Sequence, residues 1–139
     1  MSEIDLPVAE FGFPGPLRER LVAAILSGQK VTTTGLLEEY RRDGAEPGQV
    51  GQRERVVDSA GRGVAVIELM EVDVRKIGEV DLQFAVDEGE GFTTLAEWRD
   101  AHEEFFTSPE MAAVLGEPGV AIDDDTLVVC SRFRVVERL

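Results

Sequence analysis

Ser27-Gly28-Gln29-Lys30-Val31-Thr32-Thr33-Thr34-Gly35 sets one lysine and three hydroxyls between two glycines. A helix gives way to an extended segment here. Before it, Leu17, Leu21, Val22, Ile25 and Leu26 recur on one helical face, with Arg18, Glu19 and Arg20 expected on the other. Gly28 follows the last apolar position, where a left-handed cap residue is favoured. The threonines are β-branched and favour an extended chain. Alternation puts Thr32 and Thr34 on one side of it and Val31 and Thr33 on the other. The plain reading is a capped helix, an exposed lysine and an edge strand, since single lysines are mostly solvated. The functional reading brings Lys30 and Thr33 into one pocket. A lysine there is either a base, if burial lowers its pKa, or an unaltered cation for an oxyanion.

The chain of 139 residues reads as one domain, 1–139, with residues 1–10 as a lead-in. It is 43% hydrophobic and 30% charged, a globular composition. No apolar run is long enough for a membrane helix, so no membrane role is expected. The start, Met1-Ser2-Glu3-Ile4-Asp5, is acidic and unlike a signal peptide. A single cysteine, Cys130, fits a reducing cytoplasm, and one His with one Cys gives no metal site of the usual kind. No cofactor is implied, and the oligomeric state is not read. The net charge of −14 works against long nucleic acid, whose affinity comes from phosphate neutralisation. It leaves room for a small ligand with few phosphate contacts.

Along the chain, Phe11 and Phe13 are expected to anchor a turn-rich entry, and Pro16 suits a first helical position. Leu36–Arg42 predicts a short helix. Gln52–Asp58 and Val64–Val74 predict a hairpin, with a bulge where the Glu68/Glu71 pattern changes face. Asp81 is a plausible N-cap for a helix over Leu82–Asp87. Thr94-Leu95-Ala96-Glu97 has the capping-box pattern and opens a longer helix. Ser108-Pro109 opens another, ended by Gly116, and Thr126–Glu137 is the closing strand.

Three constellations carry candidate chemistry. The first is Lys30 with Thr33. The second is Asp87-Glu88-Gly89-Glu90-Gly91, two acids at a helix end whose dipole disfavours them, which suggests a lysine partner or proton transfer. Its plain alternative is a solvated acidic turn. In the third, Trp98, His102 and Phe105 share one helix face. The plain alternative there is a hydrogen-bonded core histidine, and the functional one a ring-stacking floor. Asp123-Asp124-Asp125 reads as a surface loop.

Gly28-x-Lys30-x-x-Thr33, Pro47-Gly48, Ala85-x-x-Glu88-Gly89-Glu90-Gly91, Trp98-Arg99-x-x-His102-x-x-Phe105-Phe106 and Phe133-Arg134-Val135-Val136 together resemble the ASCH domain. That is a small β-barrel family related to the PUA domain. The resemblance implies a mixed α/β (α+β) fold, a PUA-like barrel of about five or six strands with peripheral helices and a cleft. Family members are implicated in RNA binding linked to translation, and others are ribonucleases. One branch of small bacterial members hydrolyses the amide of N(4)-acetylcytidine with a lysine, a threonine and a glutamate. By motif position these are Lys30, Thr33 and Glu88. Gly35 stands where those hydrolases carry an arginine, and the Trp98–His102 segment is that of another branch. The expected partner is a nucleoside-like small ligand, with Gly28, Thr32, Glu90, Trp98, His102 and Arg132 as candidate contacts. An RNA-binding module would instead need Arg53, Arg55, Arg132 and Arg134 gathered on one strand surface.

Overall fold

Two long strands form the spine of the sheet, and the computed structural model describes residues 5–116 and 119–139. Residues 1–4 of the expected lead-in lie outside the described residues. The elements in order are β1 (Val8–Ala9), α1 (Pro16–Ser27), β2 (Thr32–Leu36), α2 (Leu37–Arg42), β3 (Arg53–Val57), β4 (Gly63–Lys76), α3 (Leu82–Asp87), α4 (Leu95–Phe106), α5 (Pro109–Leu115) and β5 (Leu127–Arg138). A 3-10 turn, Ile77–Glu79, leads from β4 towards α3.

The strand order is β1-β3-β4-β5-β2. β1 pairs parallel to β3, and the other neighbours are antiparallel. β4 and β5 stay paired from Ala65 opposite Arg138 to Lys76 opposite Leu127. Their register shifts between Leu69 and Glu71, at the bulge that the sequence pattern anticipates. The α+β fold, the five strands and the peripheral helices match expectation. Closure does not: β1 and β2 are the sheet's two edges among the described strands, so the barrel is open.

Alternating side chains of β5 reach both faces of the sheet. Phe133 joins a core under α1 with Phe11, Leu21, Val22, Ile25, Val56, Ile67 and Leu69. Val128 and Cys130 join a second core under α3, α4 and α5, with Leu36, Ala85, Trp98, Phe106 and Met111. Both faces are therefore buried, which explains why the run Val128–Ser131 is buried throughout.

The helix ends follow their side chains. The Asp81 carboxylate accepts from the Phe84 N–H at 2.8 Å. The Thr94–Glu97 capping box is complete, and Ser108 accepts from the Met111 N–H.

Two features depart from expectation. Part of the lead-in is strand, because Val8 and Ala9 extend the sheet beside Arg55 and Val56. Arg18 is not on the outer face: it is only 3% exposed, and its guanidinium donates to the carbonyls of Gly12 and Asp58. The entry turn and the β3–β4 turn each present a carbonyl there, from Gly12 and from Asp58, and Arg18 supplies their donor.

Candidate functional site

Gly28 ends α1 with φ 85°, and the Lys30 N–H returns to the Ala24 carbonyl at 3.0 Å. This turn aims Lys30 into the protein, where it is 2% exposed. The exposed lysine of the plain reading is therefore wrong, while the capped helix and the edge strand both hold. Its ammonium donates to the Thr32 carbonyl at 2.8 Å, to the Glu88 carbonyl at 3.3 Å and to Glu88 Oε1 at 3.4 Å.

Glu88 follows α3, and α3 is tied to β2 twice. The Val31 N–H donates to the Asp87 carbonyl at 2.9 Å, and Thr32 Oγ1 to the Phe84 carbonyl at 2.9 Å. Gly89 then turns the chain with φ 70°, and a Cβ there would lie 2.5 Å from the Gln29 carbonyl oxygen. Only glycine allows this approach, and the approach delivers Glu88 to Lys30.

Glu88 is 1% exposed and receives four side-chain donors. Lys30 reaches Oε1; Thr34 Oγ1 reaches Oε2 at 3.0 Å; Trp98 Nε1 donates to Oε2; and His102 Nε2 lies 3.3 Å from Oε1 and 3.2 Å from Oε2. Burial pushes this carboxyl up, but His102, Lys30 and Trp98 together outweigh it and hold the acid below its ordinary range. It is an ionised carboxylate saturated with donors.

The state of His102 follows from its neighbours. Nδ1 lies 2.7 Å from the Trp98 carbonyl, which can only accept. Nε2 faces an ionised carboxylate, which also only accepts. Both ring nitrogens therefore carry hydrogen, and His102 is an imidazolium. Burial lowers its pKa, but Glu88 and the Trp98 carbonyl raise it further, for a net rise above 6.5. Lys30, Glu88 and Glu90 are the charged groups around it; Trp98, Phe92 and Phe106 supply apolar ring contacts. Since its pKa is raised on folding, its contribution to stability is complete below pH 6.5, the value for the free side chain, and is lost as pH rises through the higher folded value. An NMR titration of the single histidine should report that raised pKa, and Glu88→Gln should lower it. A wild-type value at or below that of a free histidine would overturn the doubly donating ring.

Glu90 sits at the rim. Its side chain is 23% exposed and lies 3.7 Å from the Lys30 ammonium. Burial, and Glu88 beside it, raise its carboxyl above the usual range in spite of Lys30. Glu88, Glu90 and His102 each offer one ligand atom within 4.8 Å of the others. The Lys30 ammonium already contacts both carboxylates, so the charge a metal would bring is supplied by the chain itself.

Other candidate residues lie elsewhere. Thr33 pairs with Ser131 on the opposite side of β2 from Thr32 and Thr34, and among the described residues its hydroxyl bonds neither Lys30 nor Glu88. The threonine that meets Glu88 is Thr34. Alternation had already placed Thr34 beside Thr32, and that is the signal the motif position missed. Trp98 is 1% exposed, so its ring belongs to the core and offers no open stacking floor. Arg132 bonds Asp87 at 2.9 Å beside the site and approaches Glu71 at 3.8 Å. Arg53 and Arg134 share Glu68, at 3.7 and 3.4 Å. Gly28, Lys30, Val31 and Phe133 line a groove of about 290 Å³ between α1 and β5. The Cys130 thiol is pushed up to about 12 by burial and is inert.

A family model described as the ASCH domain matches residues 8–137. No curated protein matches. Among solved structures, a protein of Enterococcus faecalis V583 assigned to family DUF984 superposes with a TM-score of 0.82 at 28% identity, over 95% of this chain and 77% of that one. The ASCH domain from Lactobacillus crispatus JV V101 superposes with a TM-score of 0.81 at 28% identity, over 96% and 80%. No helix among the described residues is long and apolar enough to cross a membrane.

Proposed function

The chain belongs to the ASCH domain family, and we propose that it binds a nucleoside-like small ligand at Lys30 and Glu90 and hydrolyses an amide on it, with N(4)-acylated cytidine as the substrate class. The observation that carries this reading is the buried contact of Lys30 with Glu88, with the Thr34 hydroxyl on the same carboxylate and Glu90 open at the rim. A lone structural ion pair needs neither a hydroxyl on the same carboxylate nor a second, accessible acid.

Each group has a role suited to its surroundings. Lys30 is the oxyanion partner. Its contacts to Glu88, at 3.3 and 3.4 Å, are longer than charge-assisted bonds of about 2.8 Å. A developing negative oxygen can therefore compete for the ammonium. Glu88 is a positioning residue that holds Lys30, Thr34 and His102. Thr34 takes the place that motif position assigned to Thr33, with its hydroxyl directed by Glu88. The RNA-binding alternative loses support because Arg53, Arg132 and Arg134 each lie against an acid, which leaves few phosphate contacts.

The test is turnover of N(4)-acetylcytidine to cytidine and acetate. Lys30→Met keeps the apolar volume and removes the cation, and kcat should fall by about 10²–10³-fold, the usual effect of removing one oxyanion donor. Folded wild type that binds cytidine without turning over the acetylated form would remove the hydrolase part. Equal turnover by wild type and Lys30→Met would remove Lys30 from the chemistry.

A further inference from the structure

We propose that Glu90 is the proton-transferring residue of this site, base towards water and then acid towards the leaving nitrogen; this deepens the hydrolase reading and rests on it. The inference comes from asking which group near Lys30 is free to move a proton.

Glu88 is not. Four donors occupy its two oxygens, its side chain is 2% exposed, and no lone pair is left for a water molecule. Thr34 is not self-sufficient, since its proton points at a carboxylate held ionised by its neighbours and so a weak base. His102 has both N–H groups committed, one to a carbonyl and one to Glu88. Glu90 differs in every respect. Its one ion-pair partner among the described residues is Lys30, at a loose 3.7 Å, and its side chain reaches solvent. It stands between Gly89 and Gly91, with φ of 70° and 88°. Gly89 lets the chain pass close against Gln29, and Glu90 then lies 3.7 Å from the Lys30 ammonium. The charged groups facing it are Lys30 before β2, Glu88 after α3 and His102 on α4. Burial, and Glu88 beside it, raise its pKa above the ordinary carboxyl range in spite of Lys30, which makes it a stronger base than an exposed glutamate.

The step balances. Ionised Glu90 takes a proton from water as the water oxygen bonds to the acyl carbon. The carbonyl electron pair moves to oxygen, beside the Lys30 ammonium. When that pair re-forms the carbonyl, the carbon–nitrogen bond breaks, and the nitrogen takes the proton from Glu90. Amide and water become acid and amine, with no other reactant.

The experiment measures kcat and KM for N(4)-acetylcytidine against pH in wild type, Glu90→Gln and Glu90→Asp, with folding followed by thermal melts. Glu90→Gln should lose about 10²–10⁴-fold in kcat, the usual share of a general acid–base residue. The loss should be much larger in kcat than in KM, and the acid limb of the kcat profile should disappear. Glu90→Asp should recover part of the rate and keep the limb. Glu90→Gln with near-normal kcat and an intact acid limb would overturn the role while leaving the hydrolase reading in place. Wild type without turnover would overturn the hydrolase reading, and the role of Glu90 with it.

Discussion

Glu88→Ala should destabilise the protein by about 3–5 kcal/mol, the cost of removing one partner from a buried ion pair. Glu88 is 1% exposed and Lys30 2%, so neither charge is relieved by water. The loss strands two cations, Lys30 and the His102 imidazolium, and leaves the Trp98 N–H and the Thr34 hydroxyl without an acceptor. Glu88→Gln keeps the volume but fails differently. Donors face both oxygens, so its NH2 group must meet either Lys30 and His102 or Thr34 and Trp98. Adding Lys30→Met to Glu88→Ala removes one stranded cation, and the double variant should be more stable than Glu88→Ala alone. Urea unfolding of the four proteins decides it. Glu88→Ala within 1 kcal/mol of wild type would show that water or a shifted proton already relieves these charges.

The sequence carried most of the scaffold because local chemistry determined it. The helix over Leu95–Phe106 starts where a threonine and a glutamate three residues on can satisfy each other, and that pattern needs no tertiary partner. The bulge at Leu69–Glu71 was visible as a break in alternation. β1 was not visible: two residues have no period, and Val8–Ala9 is a strand only because β3 leaves an edge beside it. Arg18 was misplaced for the same reason, since its partners Gly12 and Asp58 come from two separate turns. Lys30, Glu88 and His102 were legible as residue types, but 58 residues separate Lys30 from Glu88 and 14 separate Glu88 from His102. Their meeting depends on how closely α3 packs on β2, which one glycine permits. Strand alternation and motif position disagreed over Thr33 and Thr34. The local geometry followed alternation, because a strand side chain cannot change face without a bulge.

Trp98→Ala should cost about 3–5 kcal/mol, the range for deleting a large buried aromatic. Trp98 is 1% exposed and the largest of the fully buried side chains. It packs with Leu36, Ala85, Phe106, Met111 and Val128, and its ring stacks on His102 with centroids 4.4 Å apart. Its N–H also holds Glu88, so the variant loses packing and a charge-assisted hydrogen bond together. Trp98→Phe separates the two. It retains most of the apolar ring and loses only the donor, for an expected cost of about 1–3 kcal/mol. Packing is then the larger share, and the hydrogen bond is what couples the core to the site. The coupling has its own readout. With the indole donor gone, Glu88 binds its proton more readily, so its folded pKa moves back towards the unfolded value, and the acid limb of the unfolding free energy should be smaller and end at higher pH in Trp98→Phe than in wild type. Circular dichroism must follow both variants, because Trp98 is the chain's one tryptophan. That same fact makes wild-type fluorescence a report from one position, next to Glu88 and His102, so a ligand that alters the Lys30–Glu88–Glu90 charges should shift the emission. Trp98→Phe with wild-type stability and an unmoved acid limb would reduce Trp98 to a packing residue and detach the second core from the chemistry of the site.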